Sequence, residues 1–330
     1  MKATKRELSI FKATKNRDHI NMQLIFTSIG LVLLFVFFSL NTKTFLTQRN
    51  LLNVALQTSV SVILAIAETY IIATGGIDLS IGSVAAASGM VTAIAIKSGM
   101  PVPIAIFLGL LVGILCGALN GFTITVLGIV PFIATLGTNS IMRGLVYVML
   151  DGIPLSASSA GASFTWIGQG KLFNIIPYPV IFMLIISIIA YIVLTKTTFG
   201  RSLFAMGSNE NAAFLSGVKV KKTKFCVYML SGFICGIAGI ILTSRVASAS
   251  PTACEGYETF AIAAAVIGGA SLSGGKGNIL GSIIGAFIIG FLNNGLNLIG
   301  LSSFWQQVAI GAVIIMAVFL DVIREKIKQQ

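Results

Sequence analysis

Ten mostly apolar stretches follow one another along this chain, at 24–40, 56–74, 80–97, 102–127, 130–150, 178–195, 225–243, 258–272, 279–298 and 303–320. A helix needs about 20 such residues to cross the hydrocarbon core of a bilayer. The pattern therefore predicts an all-α integral membrane protein with about ten transmembrane helices. Charge agrees: only 10% of the 330 residues are charged, against about 25% in a soluble domain. A surface so poor in charge needs lipid to cover it. The eighth stretch is short and rich in Gly and Ala, so a broken or re-entrant helix is expected there; irregular backbone at that depth must be shielded by protein or line a wet cavity. The chain has 35 glycines, which suits helices packed backbone to backbone.

The net charge of +12 raises the question of nucleic acid. The basic residues sit in short connections between apolar stretches, which sets membrane orientation instead, and no nucleic-acid partner is expected. With the N-terminus in the cytoplasm, 16 of the 22 Lys and Arg residues fall in four cytoplasmic segments. These are 1–23, 196–224, the turn at Lys276 and the tail with Arg324, Lys326 and Lys328. Both termini are then inside and the helix number is even. Residues 1–23 read as a cytoplasmic segment, 24–320 as one transmembrane domain with a cytoplasmic loop at about 196–224, and 321–330 as a cytoplasmic tail. Residues 1–40 have the order of a signal peptide, but no small-residue cleavage site follows, so a retained first helix is expected.

Several chemistries are excluded. The single histidine, His19, lies in the polar N-terminal segment. Cys116, Cys226, Cys235 and Cys254 lack metal-ligand spacing and read as small buried hydrophobes. Neither a metal nor a cofactor is expected in this chain. Gly274-Gly275-Lys276-Gly277 lacks the spacing and following Ser or Thr of a phosphate-binding loop, so the chain is not expected to hydrolyse ATP. Ionisable groups for a proton relay are few: Glu68, Asp78 and Arg143. With neither engine present, a partner must supply the energy.

The 196–224 loop carries a mechanical signal. Ser208 or Asn209 can cap a short helix, Glu210 suits its N-terminus, and Gly217 can end it in a left-handed conformation. Asn209, Glu210, Asn211, Ala212, Ala213, Phe214, Leu215, Ser216 and Gly217 then form an element exposing Phe214 and Leu215. Either a groove on a soluble partner or the lipid headgroups would cover them. Elsewhere, Asp78 reads as a cap for the third helix in preference to a substrate contact. Asn293, Asn294 and Asn297 share a helix face and either line an aqueous path or hold helices together. Arg143 either snorkels or pairs. Gly75-Gly76-Ile77-Asp78-Leu79-Ser80 echoes Gly268-Gly269-Ala270-Ser271-Leu272-Ser273, as a repeat or as generic tight turns.

Four stretches together resemble a known family. They are Gly75 through Ser83, Phe132-Ile133-Ala134-Thr135-Leu136, the Gly207–Gly217 loop, and Gly268-Gly269 through Asn293-Asn294-Gly295-Leu296-Asn297-Leu298. The chain is similar to the permease subunits of ribose-type bacterial sugar importers driven by ATP-binding-cassette ATPases, from about Phe45 to Asp321. The resemblance implies an inner-membrane permease that works as a homodimer. It docks onto an ATP-binding-cassette ATPase subunit and receives sugar from a periplasmic sugar-binding protein. It also implies that Asn209–Gly217 is the coupling helix, with Phe214 and Leu215 as apolar anchors and Glu210 and Asn211 as polar contacts. Glu68 departs from the uncharged residue expected there. It is read as a sugar-hydroxyl acceptor, a partner of Arg143 or a buried neutral acid, so the cargo stays open among ribose, other sugars, sugar-derived signals and nucleosides. A self-sufficient secondary transporter is the rival from another class.

Overall fold

The structure is a computed structural model, described for residues 24–158 and 162–329. The expected cytoplasmic segment 1–23, with His19, lies outside the described residues. The long helices follow the apolar stretches: α1 Leu24–Asn41, α2 Gln48–Ala73, α3 Ile81–Lys97, α4 Val102–Thr125 and α5 Pro131–Leu150. After a short α6 (Ala162–Gln169) come α7 (Tyr178–Lys196), α8 (Thr198–Ser208), α9 (Glu210–Leu215), α10 (Val220–Val246), α11 (Tyr257–Ile267), α12 (Ile279–Leu298) and α13 (Ser303–Gln329). Seven of these, α1, α2, α4, α5, α7, α10 and α12, are long and apolar enough to cross a membrane, and three shorter apolar helices lie at Ile81–Lys97, Tyr257–Ile267 and Ser303–Met316. The chain is a multi-pass, mostly helical membrane protein.

Boundaries moved for physical reasons. Helix α2 starts eight residues before the expected stretch because the Thr47 hydroxyl accepts from the Asn50 N–H and caps it. Helix α10 begins at Val220 and takes Lys221, Lys222 and Lys224 into its first turns, where long basic side chains keep their charge at the end of a span. Helix α13 runs on through the segment read as a tail. The eighth stretch becomes α11, only 11 residues, so at 1.5 Å per residue it covers about half of a hydrocarbon core about 30 Å thick. Two small antiparallel ribbons complete the connections. β1 (Leu155–Ser156) pairs with β4 (Ser248–Ala249), and β2 (Lys171–Leu172) with β3 (Ile176–Pro177). The 151–177 and 245–258 connections are thereby joined.

Helix α2 runs through the middle of the molecule. With α10 it is one of the two most enclosed spans: 56% of its most apolar window and 61% of that of α10 are buried inside the protein, against 6% for α1. Beside it α3, α4 and α10 pack through glycine. Gly109, Gly113, Gly117 and Gly121 recur every fourth residue on α4. A methyl group at Gly113 would collide with the Gly232 carbonyl of α10, and one at Gly117 with the Tyr228 carbonyl. On α10, a methyl group at Gly239 would strike Ala85 of α3. Backbones this close exchange dispersion contacts that bulkier residues would prevent, which is the main attraction available between helices in lipid. Gly113→Ala should therefore destabilise the detergent-solubilised protein by about 1–3 kcal/mol through overpacking, seen as a lower thermal midpoint. Gly137→Ala, where nothing lies within 4 Å, should leave the midpoint unchanged.

Candidate functional site

The features that could serve transport lie at three levels along α2. The first is at its C-terminal end, beside α8 and α9. The Thr197 hydroxyl caps α8 by accepting from Gly200 N–H at 3.3 Å, and Leu203 and Met206 bury its apolar face. Asn209, extended at φ −161°, ends α8 and caps α9 through Oδ1, which accepts from Ala212 N–H at 2.9 Å. Ala213 is buried, while Phe214 is 69% and Leu215 84% exposed. Gly217 at φ +86° closes the turn after Ser216, a conformation that only glycine takes without strain. Asn211 and Ala212 are exposed. Glu210 accepts from Lys224 Nζ at 2.9 Å and ties α9 to α10. This pair is largely solvent-facing and contributes less than about 1 kcal/mol.

Directly behind α9 three connections interlock. Gly275 N–H donates to the Ala73 carbonyl at 3.0 Å. A side chain at Gly207 would collide with that same carbonyl and with Gly275, and one at Gly274 with the Gly207 carbonyl. The root of α9 is thus seated on the turn that ends α2 and on the turn before α12. These turns contain the two echoing sequences, but the echo does not extend to conformation. Gly75 is left-handed at φ +79°, while its counterpart Gly268 is right-handed at φ −71° and the left-handed residue is Gly269 at φ +104°. The two are generic tight turns.

The second level is a buried polar cluster one turn up. Glu68 Oε1 accepts from Asp78 N–H at 3.2 Å. Asp78 Oδ1 accepts from Ser80 N–H at 2.8 Å and from the Ser80 hydroxyl at 2.6 Å, and Asn120 Nδ2 donates to the Ser80 hydroxyl at 2.9 Å. The cap residue of α3 is therefore Ser80, which Asp78 holds from two residues before it without reaching the N–H groups of the helix; Thr135 steadies the same turn by accepting from Leu79 N–H at 3.1 Å. Glu68 Oε2 and the Tyr228 hydroxyl are buried without a partner. Arg143 does not reach Glu68. Its Nη1 donates to the Pro251 and Ala253 carbonyls at 2.9 and 2.8 Å. Of the three alternatives for Glu68, the Arg143 pair is therefore set aside: the arginine is spent on loop carbonyls between α10 and α11. In that loop Cys254 is buried, and burial pushes its thiol up to about 12 against the pull of Arg143 and Arg245.

The third level is a cavity of about 110 Å³ between α2, α11 and α12, lined by Gln57, Thr58, Ser61, Tyr257, Phe260 and Asn293 among others. The three asparagines separate here. Asn293 faces the cavity; Asn294 exchanges two 2.9 Å bonds with the Asn50 side chain of α2; Asn297 is exposed. Sequence reasoning passed over Tyr228, Asn120, Gln57, Thr58 and Ser61. Their signal was present: each is a polar residue inside an otherwise apolar stretch. Among the described residues no group of three or more His, Cys, Asp or Glu is placed to hold a metal.

The Glu68 contact gives a test. Glu68→Leu strands the buried Asp78 N–H and should cost about 1–3 kcal/mol, read as a lower unfolding midpoint in detergent. Glu68→Gln keeps the acceptor and should hold the midpoint within about 1 °C. Equal losses in both variants would show that the hydrogen bond is not what Glu68 contributes.

The family described as "Branched-chain amino acid transport system / permease component" matches residues 50–318. The chain is 46% identical to the ribose import permease protein of Bacillus subtilis over 300 residues, covering 91% of this chain and 93% of that one. It is 43% identical to the ribose import permease protein of Haemophilus influenzae, covering 89% and 91%. It is 42% identical to the D-allose transport system permease protein of Escherichia coli, covering 88% of each. No solved structure matches. Seven membrane-length helices, a turn-capped helix outside them and a family match over most of the chain converge on one conclusion: this protein belongs to the branched-chain amino acid transport system permease family.

Proposed function

We propose that the chain is the membrane-spanning subunit of an ATP-driven importer that passes ribose or a related monosaccharide across a bacterial inner membrane. The observation that carries the reading is α9. It is six residues long, capped at both ends, outside every membrane span, and presents Phe214 and Leu215 to solvent. Burying two such side chains in a partner's groove contributes about 3–6 kcal/mol, a central part of the contact that holds a soluble ATPase subunit. The relatives' names supply the cargo class, since they import ribose or D-allose.

In this reading the seven long helices and the three shorter apolar ones make ten crossings or part-crossings, with both termini in the cytoplasm. The α9 end faces the cytoplasm, and the α6 ribbons face a periplasmic sugar-binding protein. Two copies pair to enclose the path. The ATP is bound and hydrolysed by the partner subunit, so this chain needs no cofactor of its own. Closure of the ATPase pushes α9. Because Gly207 is seated on Ala73 and Gly275, the push reaches the ends of α2 and α12 through backbone contacts, and the permease exchanges outward- and inward-facing arrangements. Glu68 and Asp78 serve as structural anchors of the α2–α3 turn, and Asn294 as a helix clamp.

Affinity purification of the tagged chain from its native membrane should recover a stoichiometric ATP-binding-cassette subunit. Leu215→Asp removes about 2 kcal/mol of burial and should weaken that association about 30-fold. Glu210→Lys combined with Leu215→Asp should leave the permease inserted while uptake falls at least about tenfold. A chain that purifies alone and moves sugar into vesicles without ATP would be a secondary carrier instead. Gly207→Ala should lower the sugar moved per ATP while the ATPase stays bound; a proportional loss of both assembly and uptake would assign Gly207 to packing alone.

A further inference from the structure

The cavity between α2, α11 and α12 gathers polar side chains from two helices into one open space. Several short polar side chains elsewhere in the spans bond within the protein. Ser59 donates to the Leu56 carbonyl, Thr69 to the Ala65 carbonyl and Ser187 to the Met183 carbonyl, while Asn294 pairs with Asn50. Gln57, Thr58, Ser61 and Asn293, all lining the cavity, hydrogen-bond to no described residue. Gln57 and Ser61 are one turn apart on α2, and Asn293 comes from α12. The α11 wall carries Tyr257 and Phe260, also one turn apart, with their rings edge to face at 6.0 Å. Gln57 is exposed and Ser61 and Asn293 are half-buried, so the cavity is open and its polar groups are free to meet whatever enters it; within a membrane span they favour an occupant that hydrogen-bonds.

We infer that this cavity is a contact site for the transported monosaccharide, a deepening that rests on the importer reading. A sugar ring has hydroxyl groups around its edge and C–H groups on its faces. Gln57, Ser61 and Asn293 each offer donors and acceptors to hydroxyls, and the Tyr257 and Phe260 rings offer an apolar wall to the C–H face. Water would answer the polar groups but gain nothing from the rings, and a lipid chain would gain from the rings and leave the polar groups unpaired. A polyol fits both. The cavity lies along the N-terminal half of α2, two to three turns above Glu68. A sugar there passes over the ordered α2–α3 turn without using its carboxylates.

The test uses the full complex in proteoliposomes: permease, its ATPase and its binding protein, with D-ribose as probe. Wild-type uptake is measured first; if D-ribose is not moved while another cargo is, the proposed function fails, independently of the cavity. Given uptake, Gln57→Leu with Asn293→Leu, which keep volume and remove the polar groups, should lower sugar moved per ATP about tenfold with assembly and basal ATP hydrolysis unchanged. Unchanged sugar per ATP overturns the inference. Ser61→Cys, a small change, gives a second reading. Its thiol should react with a small charged reagent, and D-ribose during ATP turnover should slow that reaction about fivefold or more. Labelling that D-ribose does not slow marks a merely water-filled void, and absence of labelling marks a sealed one; either result overturns the assignment.

Discussion

A helix enclosed by other helices inside a bilayer has no solvent to satisfy its polar groups, and the architecture follows from how α2 meets that constraint. Several polar side chains on α2 that face protein have a specific partner on a different element. Asn50 pairs with Asn294 and Thr69 shares a hydrogen bond with Ser282 of α12, while the Tyr70 hydroxyl donates to the Ala190 carbonyl of α7. Glu68 holds the turn that follows α2, and Arg245 of α10 donates to the Leu56 carbonyl at 3.2 Å. These bonds fix the rotation and height of α2 against its neighbours, since apolar lipid provides little force to do so. Where no partner is provided, at Gln57, Ser61 and Asn293, the structure leaves a cavity.

The glycine contacts solve the complementary problem. Polar bonds between helices demand close approach, and α3, α4 and α10 reach it by removing side chains from the crossing points. The same device recurs at the end of α2, where Gly207, Gly274 and Gly275 bring three connections into backbone contact. Packed backbone is stiff, so the α9 helix and the two helix ends behave as one body. The packed joint lies at one end of α2 and the polar cavity along its other half.

Much of this was legible in the sequence because bilayer physics is so restrictive. Length and hydropathy placed the seven membrane-length helices and the three shorter apolar ones, since a spanning segment must satisfy its own backbone. The α9 element was also legible: Asn209, one of two candidate caps, and Gly217 as terminator are local features that act within one turn. The Glu68–Arg143 pairing was not legible. Two opposite charges in neighbouring spans look like partners on paper, but Arg143 lies at the depth of the 251–253 loop, whose carbonyls have first claim on it. The asparagine trio was read as one face, whereas the neighbours of α12 divide it: α2 takes Asn294, the cavity takes Asn293, and Asn297 is exposed.

The sequence by itself determined that this chain lives in a membrane, where its helices run, and that a capped helix stands outside them. Each of these depends on short-range patterns: apolar length, end charges, cap residues. Only the tertiary structure decided which helix is central, that the turn before α12 meets the turn after α2 beneath Gly207, and that polar residues from three helices surround one cavity. Those outcomes depend on contacts between positions more than 100 residues apart, and in lipid they are selected by shape and hydrogen-bond complementarity, which no local pattern encodes.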